Sequence, residues 1–298
     1  MMTSIIDDIK QSFRSGNMIT RIIIVNVAFF MFLALFNAFM PGVYAGFSQW
    51  VYIPSDPLKL LTRPWTIISH MFAHVGLWHM AFNMLILYWF GRIVGDLLND
   101  RRILPLYILG GLSGAVLYFL AANLIPNVAS GSAHGASAAV LCIVAAAAWT
   151  SPNYSVRLLF LGDVKIKWIA AAVIFINLIG TQGANAGGAY GHIGGLIFGA
   201  FYVWKLRQGS DITEPMQDTI AWVASKFDGS PKPQKKKRSP LKVTHVGRSR
   251  SAAKKSAPIT TATDLQKQVD VILDKIKVKG YDSLTDEEKE ILFKASKK

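Results

Sequence analysis

The chain has 298 residues, 52% of them hydrophobic and only 17% charged, against about 25% charged in an ordinary soluble domain. Its formal net charge is +14. That balance argues against a soluble enzyme and for a chain that meets a membrane.

Charge is unevenly spread. Residues 1–204 carry 11 Lys/Arg and 6 acids, all Asp, while 205–298 carry 21 Lys/Arg and 12 acids. Four stretches hold no Asp, Glu, Lys or Arg: 22–55, 64–91, 103–156 and 168–204. A spanning helix needs about 20 apolar residues. The first run fits one helix, since Pro41-Gly42 breaks it, and the second fits one. The third and fourth each fit two. The predicted spans are about 22–40, 66–91, 103–123, 137–151, 166–181 and 190–205. The apolar core of the first is too long for a cleaved signal peptide.

In chain order, residues 1–20 come first, with Ile5, Ile6, Ile9 and Phe13 on one helical face, suited to a membrane surface. The membrane domain is expected over 21–206. Within it, 42–63 carries Trp50, Val51, Tyr52, Ile53, Leu60 and Leu61 and is predicted to lie in the outer interface. Residues 207–262 begin with a second amphipathic stretch, Met216, Ile220, Val223 and Phe227, after Pro215 at a helix start. A basic linker follows, ten Lys/Arg and no acid over 232–255. Beside a membrane this composition reads as a tether drawn to anionic lipid rather than a nucleic-acid site. Residues 263–298 read as a small helical hairpin. A stripe of Leu265, Val269, Ile272, Leu273 and Ile276 ends at Gly280, and the capping box Thr285-x-x-Glu288 opens a second helix. Its partner is not readable from sequence.

Basic residues set the orientation. One side of the bundle carries 11 Lys/Arg (from Lys10, Arg14 and Arg21 to Lys205 and Arg207), and the other carries Lys59 and Arg63 alone. Both termini are expected on the cytoplasmic side, with the second, fourth and sixth spans running from outside to inside.

Ionisable residues inside a span are costly and mark function. The predicted membrane domain offers His70, His74, His79 and His192, with His134 just before the fourth span and Asn83, Ser137 and Asn177 as polar companions. Cys142, the single cysteine, falls in an apolar run and reads as a buried inert thiol. Ser137 opens the fourth span behind Gly135-Ala136. A serine there is most simply a helix cap, yet the outward N–H groups and positive dipole end would also favour an oxyanion. His192 shares a face with Gly195 and Gly199, which let that face pack closely. Its plain reading is a histidine bonded to a backbone carbonyl; the functional one is a base for a facing serine. His79 and Asn83 share a face at i, i+4, as polar glue between helices or as oxyanion donors. Depth ties the three spans together. His79 lies 13 residues before Arg92, His192 13 before Lys205 and Ser137 13 before Thr150. At 1.5 Å per residue each stands about 20 Å above its cytoplasmic helix end.

The stretch Trp65–Asn83, with His74, His79-x-x-x-Asn83 and the following Phe90-Gly91, resembles the second helix of rhomboid intramembrane serine proteases. Gly135-Ala136-Ser137 is similar to the start of their Gly-x-Ser-Gly motif, and His192-x-x-Gly195-x-x-x-Gly199 to their sixth helix. The resemblance covers roughly 20–206. It implies an all-α, polytopic six-helix bundle and a Ser–His dyad without an acid, with Ser137 as nucleophile and His192 as base. His79, Asn83, Gly135 and the Ser137 amide would surround the oxyanion, and Gly195 and Gly199 would serve helix packing. No metal and no cofactor are implied. The substrates would be transmembrane helices of other proteins, cut near the outer face, and the setting a bacterial inner membrane. Two positions depart from the pattern. Ala138 stands where the motif ends in Gly, predicting altered packing between the fourth and sixth helices, and Thr66 stands where an Arg often follows the loop tryptophan.

Two other readings compete. His70-x-x-x-His74 with His79 is similar to the histidine boxes of metal-dependent membrane oxidoreductases, but those use about eight His and carboxylates that the bundle lacks. A non-catalytic scaffold for membrane helices would not need the serine and histidine that are present. A transporter would show paired intramembrane charges or an inverted repeat, and neither is evident.

Overall fold

The computed structural model describes residues 5–126, 128, 131–158, 162–179, 186–227, 262–279 and 284–296. The basic linker 232–255 and Gly280 lie outside these residues. The chain divides into two units, 1–235 and 236–298.

The first unit opens with α1 (Ile5–Ser15) and α2 (Met18–Phe39). Asn17 caps α2 by accepting from the Thr20 amide at 3.0 Å. Asp100 also accepts from the Met18 amide with both carboxylate oxygens, at 3.0 Å, where a carboxylate suits the positive end of the helix. The 42–63 segment follows as α3 (Pro41–Ser48), β1 (Ile53–Pro54) and α4 (Pro57–Thr62). Then come α5 (Thr66–Ser69), a single 3-10 turn His70–Phe72, and α6 (Leu77–Leu98). The second span therefore starts at Leu77, eleven residues later than the sequence boundary, and continues past Arg92. Residues 66–76 are apolar enough to look transmembrane, but they form the short α5, the 3-10 turn and a connecting stretch, and carry His70 and His74 outside α6.

The third span is α7 (Ile103–Leu124). Next are β2 (Ser132–Ala133), α8 (Ser137–Thr150), a hairpin of β3 (Ser155–Leu158) with β4 (Gly162–Lys165), α9 (Ile166–Ile179) and α10 (Ala186–Arg207). α2, α6 and the stretch 100–124 are each long and apolar enough to cross a membrane. α8 and α9 have 14 residues each, about 21 Å at 1.5 Å per residue. The protein is an all-α polytopic membrane protein; its strands are short accessories.

The radial pattern of side chains is that of a bundle in lipid. Phe32, Leu35, Trp78, Phe82, Val116, Trp168, Phe175 and Ile176 all stand exposed, a surface that water would penalise and hydrocarbon accepts. Where α8 meets α7 and α10, small residues line the contact. Every residue of α8 from Ser137 to Ala147 is buried. A Cβ on Gly195 would collide with the Ala138 carbonyl oxygen, and one on Gly199 with the Cys142 carbonyl. α10 thus lies main chain to main chain on α8, as glycines permit in a membrane. The Ala138 methyl faces Gly114 of α7. The departure from the glycine motif is thus accommodated by the third span, and the contact between α8 and α10 expected to change stays glycine-close.

One buried polar cluster joins three elements. Tyr107, fully buried, donates to the Met71 carbonyl at 2.8 Å and accepts from Asn26 Nδ2 at 3.1 Å. This ties α7 and α2 to the His70–Phe72 turn. β1 pairs antiparallel with β2, Ile53 opposite Ala133, which joins the 42–63 segment to the loop before Ser137. Arg63 stacks on Trp50 at 4.4 Å and donates to the Gln49 carbonyl at 3.0 Å. Trp65 lies parallel to Trp50 at 5.8 Å and donates to its carbonyl at 2.9 Å. Arg63 therefore anchors the loop from the other side of Trp65, and Thr66 only donates to the Arg63 carbonyl, at 2.7 Å.

Past the sixth span, Arg102 pairs with Asp211 at 2.8 Å. Asp211 also accepts from the Thr213 amide at 3.0 Å. α11 (Glu214–Phe227) follows directly. Partial burial pushes the Asp211 carboxyl up, but the hydrogen bonds from Thr213 and Arg102 outweigh it and hold the group below its ordinary value. The stabilisation is present above the unfolded value and is lost as pH falls through the folded one. A truncation after Gln208 removes this partner of Arg102, and one after Phe227 keeps it. We expect the shorter protein to unfold at a lower temperature in detergent, with both retaining a folded bundle; equal unfolding temperatures would show the pair to be idle.

In the second unit, α12 (Ala262–Lys279) and α13 (Asp286–Ser296) form a helical pair. Thr285 and Glu288 exchange the reciprocal capping bonds, at 2.8 and 3.3 Å. Lys275 pairs with Glu288 at 2.6 Å, and its hydrogen bond holds that carboxyl below its ordinary value.

Candidate active site

A cavity of about 590 Å³ opens among α6, α7, α8, α9 and α10, and Ser137, His192, His79, Asn83 and Gly135 all line it. The five candidates named from sequence are therefore brought together in one space, with Gly195 and Gly199 behind them at the helix contact.

Ser137 is the first residue inside α8. The cap position belongs to Ala136, which makes no side-chain cap bond. Freed from capping, Ser137 Oγ lies 2.6 Å from His192 Nε2. The other ring nitrogen, Nδ1, lies 3.3 Å from the main-chain carbonyl of Asn177 on α9. A carbonyl only accepts, so Nδ1 carries the proton and Nε2 is left to accept from the serine. This is the arrangement of a nucleophile, a base and a third group that orients the base. The third group is a backbone oxygen. Asn177 was legible as a polar companion, but its side chain turns back to its own helix, donating to Val173 O at 2.8 Å, and the carbonyl that matters leaves no trace in sequence. The carbonyl-bonded reading of His192 describes Nδ1, while Nε2 faces the serine.

Gly135 occupies positive φ, +119°, where a side chain would strain the main chain. A Cβ there would sit 3.0 Å from His79 Cε1 and 3.8 Å from Ser137 Oγ. The missing side chain leaves room between the serine and the histidine. Asn83 is buried, and its amide donates to the His79 carbonyl at 2.8 Å in its own helix. Its carbonyl-bonded amide has a second N–H to offer the cavity.

Of the remaining histidines, His70 and His134 also line the cavity, and each has a protein neighbour. His70 Nδ1 lies 3.0 Å from the Thr66 carbonyl. His134 stacks on Tyr52 at 4.5 Å. His74 meets His79 edge to face at 5.4 Å. Among the described residues, no group of three or more His, Cys, Asp or Glu is assembled to hold a metal ion. Cys142 is fully buried in α8.

A Rhomboid domain family model matches residues 61–209, half of the chain, and a family of unknown function (DUF6576) matches 263–298. The chain is 31% identical over 138 residues to Rhomboid protease GluP of Bacillus subtilis, covering 46% of this chain and 25% of that protein. It is 25% identical over 169 residues to the mitochondrial presenilin-associated rhomboid-like protein of Bos taurus, covering 53% and 44%. It is 23% identical over 198 residues to the mitochondrial Rhomboid protein 1 of Saccharomyces cerevisiae, covering 64% and 54%. The chain thus spans between a quarter and about half the length of these relatives.

Proposed function

The chain belongs to the rhomboid family, and on that premise we propose that it is a serine endopeptidase that cleaves transmembrane segments of other membrane proteins. The observation that carries this reading is the 2.6 Å contact between Ser137 Oγ and His192 Nε2 in a cavity within the helix bundle. Ser137 Oγ attacks the scissile carbonyl while His192 Nε2 takes its proton. The same nitrogen then returns the proton to the leaving amine, and a water repeats the sequence on the acyl-enzyme. The oxyanion is met by the Ser137 amide, which in the first turn of a helix has no intrahelical acceptor, with His79 and Asn83 across the gap that Gly135 leaves. The Asn177 carbonyl supports the imidazolium in place of a carboxylate.

The experiment is a cleavage assay on a panel of single-span membrane proteins, wild type against Ser137→Ala, with fluorophosphonate labelling of the serine alongside. Labelling and cleavage that both vanish in the variant are expected. A wild-type protein that neither labels nor cuts any substrate, though folded, would leave a helix-binding scaffold as the better reading.

The basic asymmetry supports a topology in a bacterial inner membrane with both termini cytoplasmic, the tail meeting anionic lipid. Reporter fusions after residues 128 and 184 should read as external, and one after 210 as internal. An internal signal at 128 would overturn this orientation.

A further inference from the structure

The turn that presents Ser137 is held from outside its own helix. Gly135 donates its N–H to the His70 carbonyl at 2.9 Å. The next amide, Ala136 N–H, points to a side chain, His74 Nε2, at 3.4 Å. His74 is buried, and its Nδ1 lies 3.3 Å from the Phe72 carbonyl. That carbonyl fixes the Nδ1–H tautomer and leaves Nε2 with a lone pair for Ala136, so the imidazole acts as a neutral relay between two main-chain groups. The two amides before Ser137 are thus both directed back into the 66–76 segment, and Ser137 follows at the cavity wall, its amide in the first turn of α8 without an intrahelical acceptor. Tyr107 holds the same segment through the Met71 carbonyl at 2.8 Å, so the platform carrying His74 is itself braced.

We propose that His74 is a positioning residue: by accepting the Ala136 N–H it fixes the peptide planes of the Gly135–Ser137 turn, and with them the direction of the oxyanion-binding amide. This rests on the protease reading. Its consequence is specific. The orientation of one amide matters to a developing oxyanion more than to the bound substrate, so loss of the clamp lowers kcat and leaves KM nearly alone. A glutamine side chain can set an oxygen acceptor near the Nε2 position, and a leucine fills similar volume with no acceptor.

The test compares wild type, His74→Leu, His74→Gln and Ser137→Ala for kcat, KM, fluorophosphonate labelling rate and thermal unfolding in detergent. Losing an oriented oxyanion donor costs on the order of 10²–10³ in rate. His74→Leu is expected to lose roughly 10- to 100-fold in kcat, because the donor is loosened rather than removed. KM should change little, labelling should slow in step with kcat, and His74→Gln should recover most of the loss. Full kcat in His74→Leu overturns the proposal. So does equal impairment of the leucine and glutamine variants, or a loss that follows the unfolding temperature alone, since either would reduce His74 to packing. Activity in Ser137→Ala equal to wild type would instead defeat the protease reading itself.

Discussion

Cleavage is expected to vanish when either Ser137 or His192 is replaced by alanine, and the double variant should be no worse than either single one. The two atoms lie 2.6 Å apart, so removing one leaves the other without its function. A serine hydroxyl without a base is a poor nucleophile, and an imidazole without a serine has no proton to take. Residues that act as a unit are non-additive, with each single loss on the order of 10⁴-fold or more. Independent contributions would multiply in the double variant and reveal themselves at once. His79→Ala and Asn83→Ala should be milder, on the order of 10²–10³ for one oxyanion donor. His70→Ala and His134→Ala should act through loop packing, showing in the unfolding temperature before the rate. The histidine-box reading requires the opposite order, with His70 and His74 essential and Ser137 dispensable. Cleavage of one membrane substrate by this set, each protein checked for folding, separates the two. A folded Ser137→Ala protein with full activity would end the proposed mechanism.

Much of this arrangement was legible because a bilayer restricts what a sequence can do. With backbone groups unable to find water, spans are helices, and the charge-free runs report them. The equal distances counted to Arg92, Lys205 and Thr150 are not those of the helix ends, which lie 19, 15 and 13 residues after His79, His192 and Ser137; it is the shared cavity that brings the three together. What sequence could not resolve was where an apolar run stops being helix. The run 64–91 contains both the coiled segment of His70 and His74 and the start of α6, and hydropathy does not distinguish them. At the other end α6 continues through Arg92 to Leu98, because a long basic side chain can reach the headgroups from within the last turns. Contacts made by main-chain atoms were equally silent. The Asn177 carbonyl on His192 and the Ala136 amide on His74 depend on peptide orientation, which no residue type specifies. The loop around Trp50 shows a contact that sequence left open. No arginine follows Trp65, yet Arg63 reaches Trp50 from two residues before Trp65, so a cation packs on that ring from another position.

Gly195 is expected to be the least replaceable residue that touches no substrate. A Cβ there would lie 2.0 Å from the Ala138 carbonyl oxygen and 3.0 Å from the Ala138 Cα. The obstacle is main chain, which cannot swing aside as a side chain tip can. An added methyl must push α10 from α8, and α10 carries His192 three residues earlier. Gly195→Ala should lower stability by about 1–3 kcal/mol, the usual range for overpacking a close-packed core. Gly195→Val should exceed that and fail to accumulate as folded protein. Activity should fall faster than stability, since the Ser137–His192 contact is the first distance that the separation stretches, and proton transfer needs hydrogen-bond reach. Ala138→Gly is the matching control. It removes a methyl that faces Gly114 and leaves the contact of α8 with α10 as it is, so the cost should be only the about 0.5–1 kcal/mol of a glycine in a helix. Thermal unfolding in detergent and substrate cleavage, measured on the three variants, test the ordering. A Gly195→Val protein as stable and active as wild type would show that α8 and α10 are not held backbone to backbone.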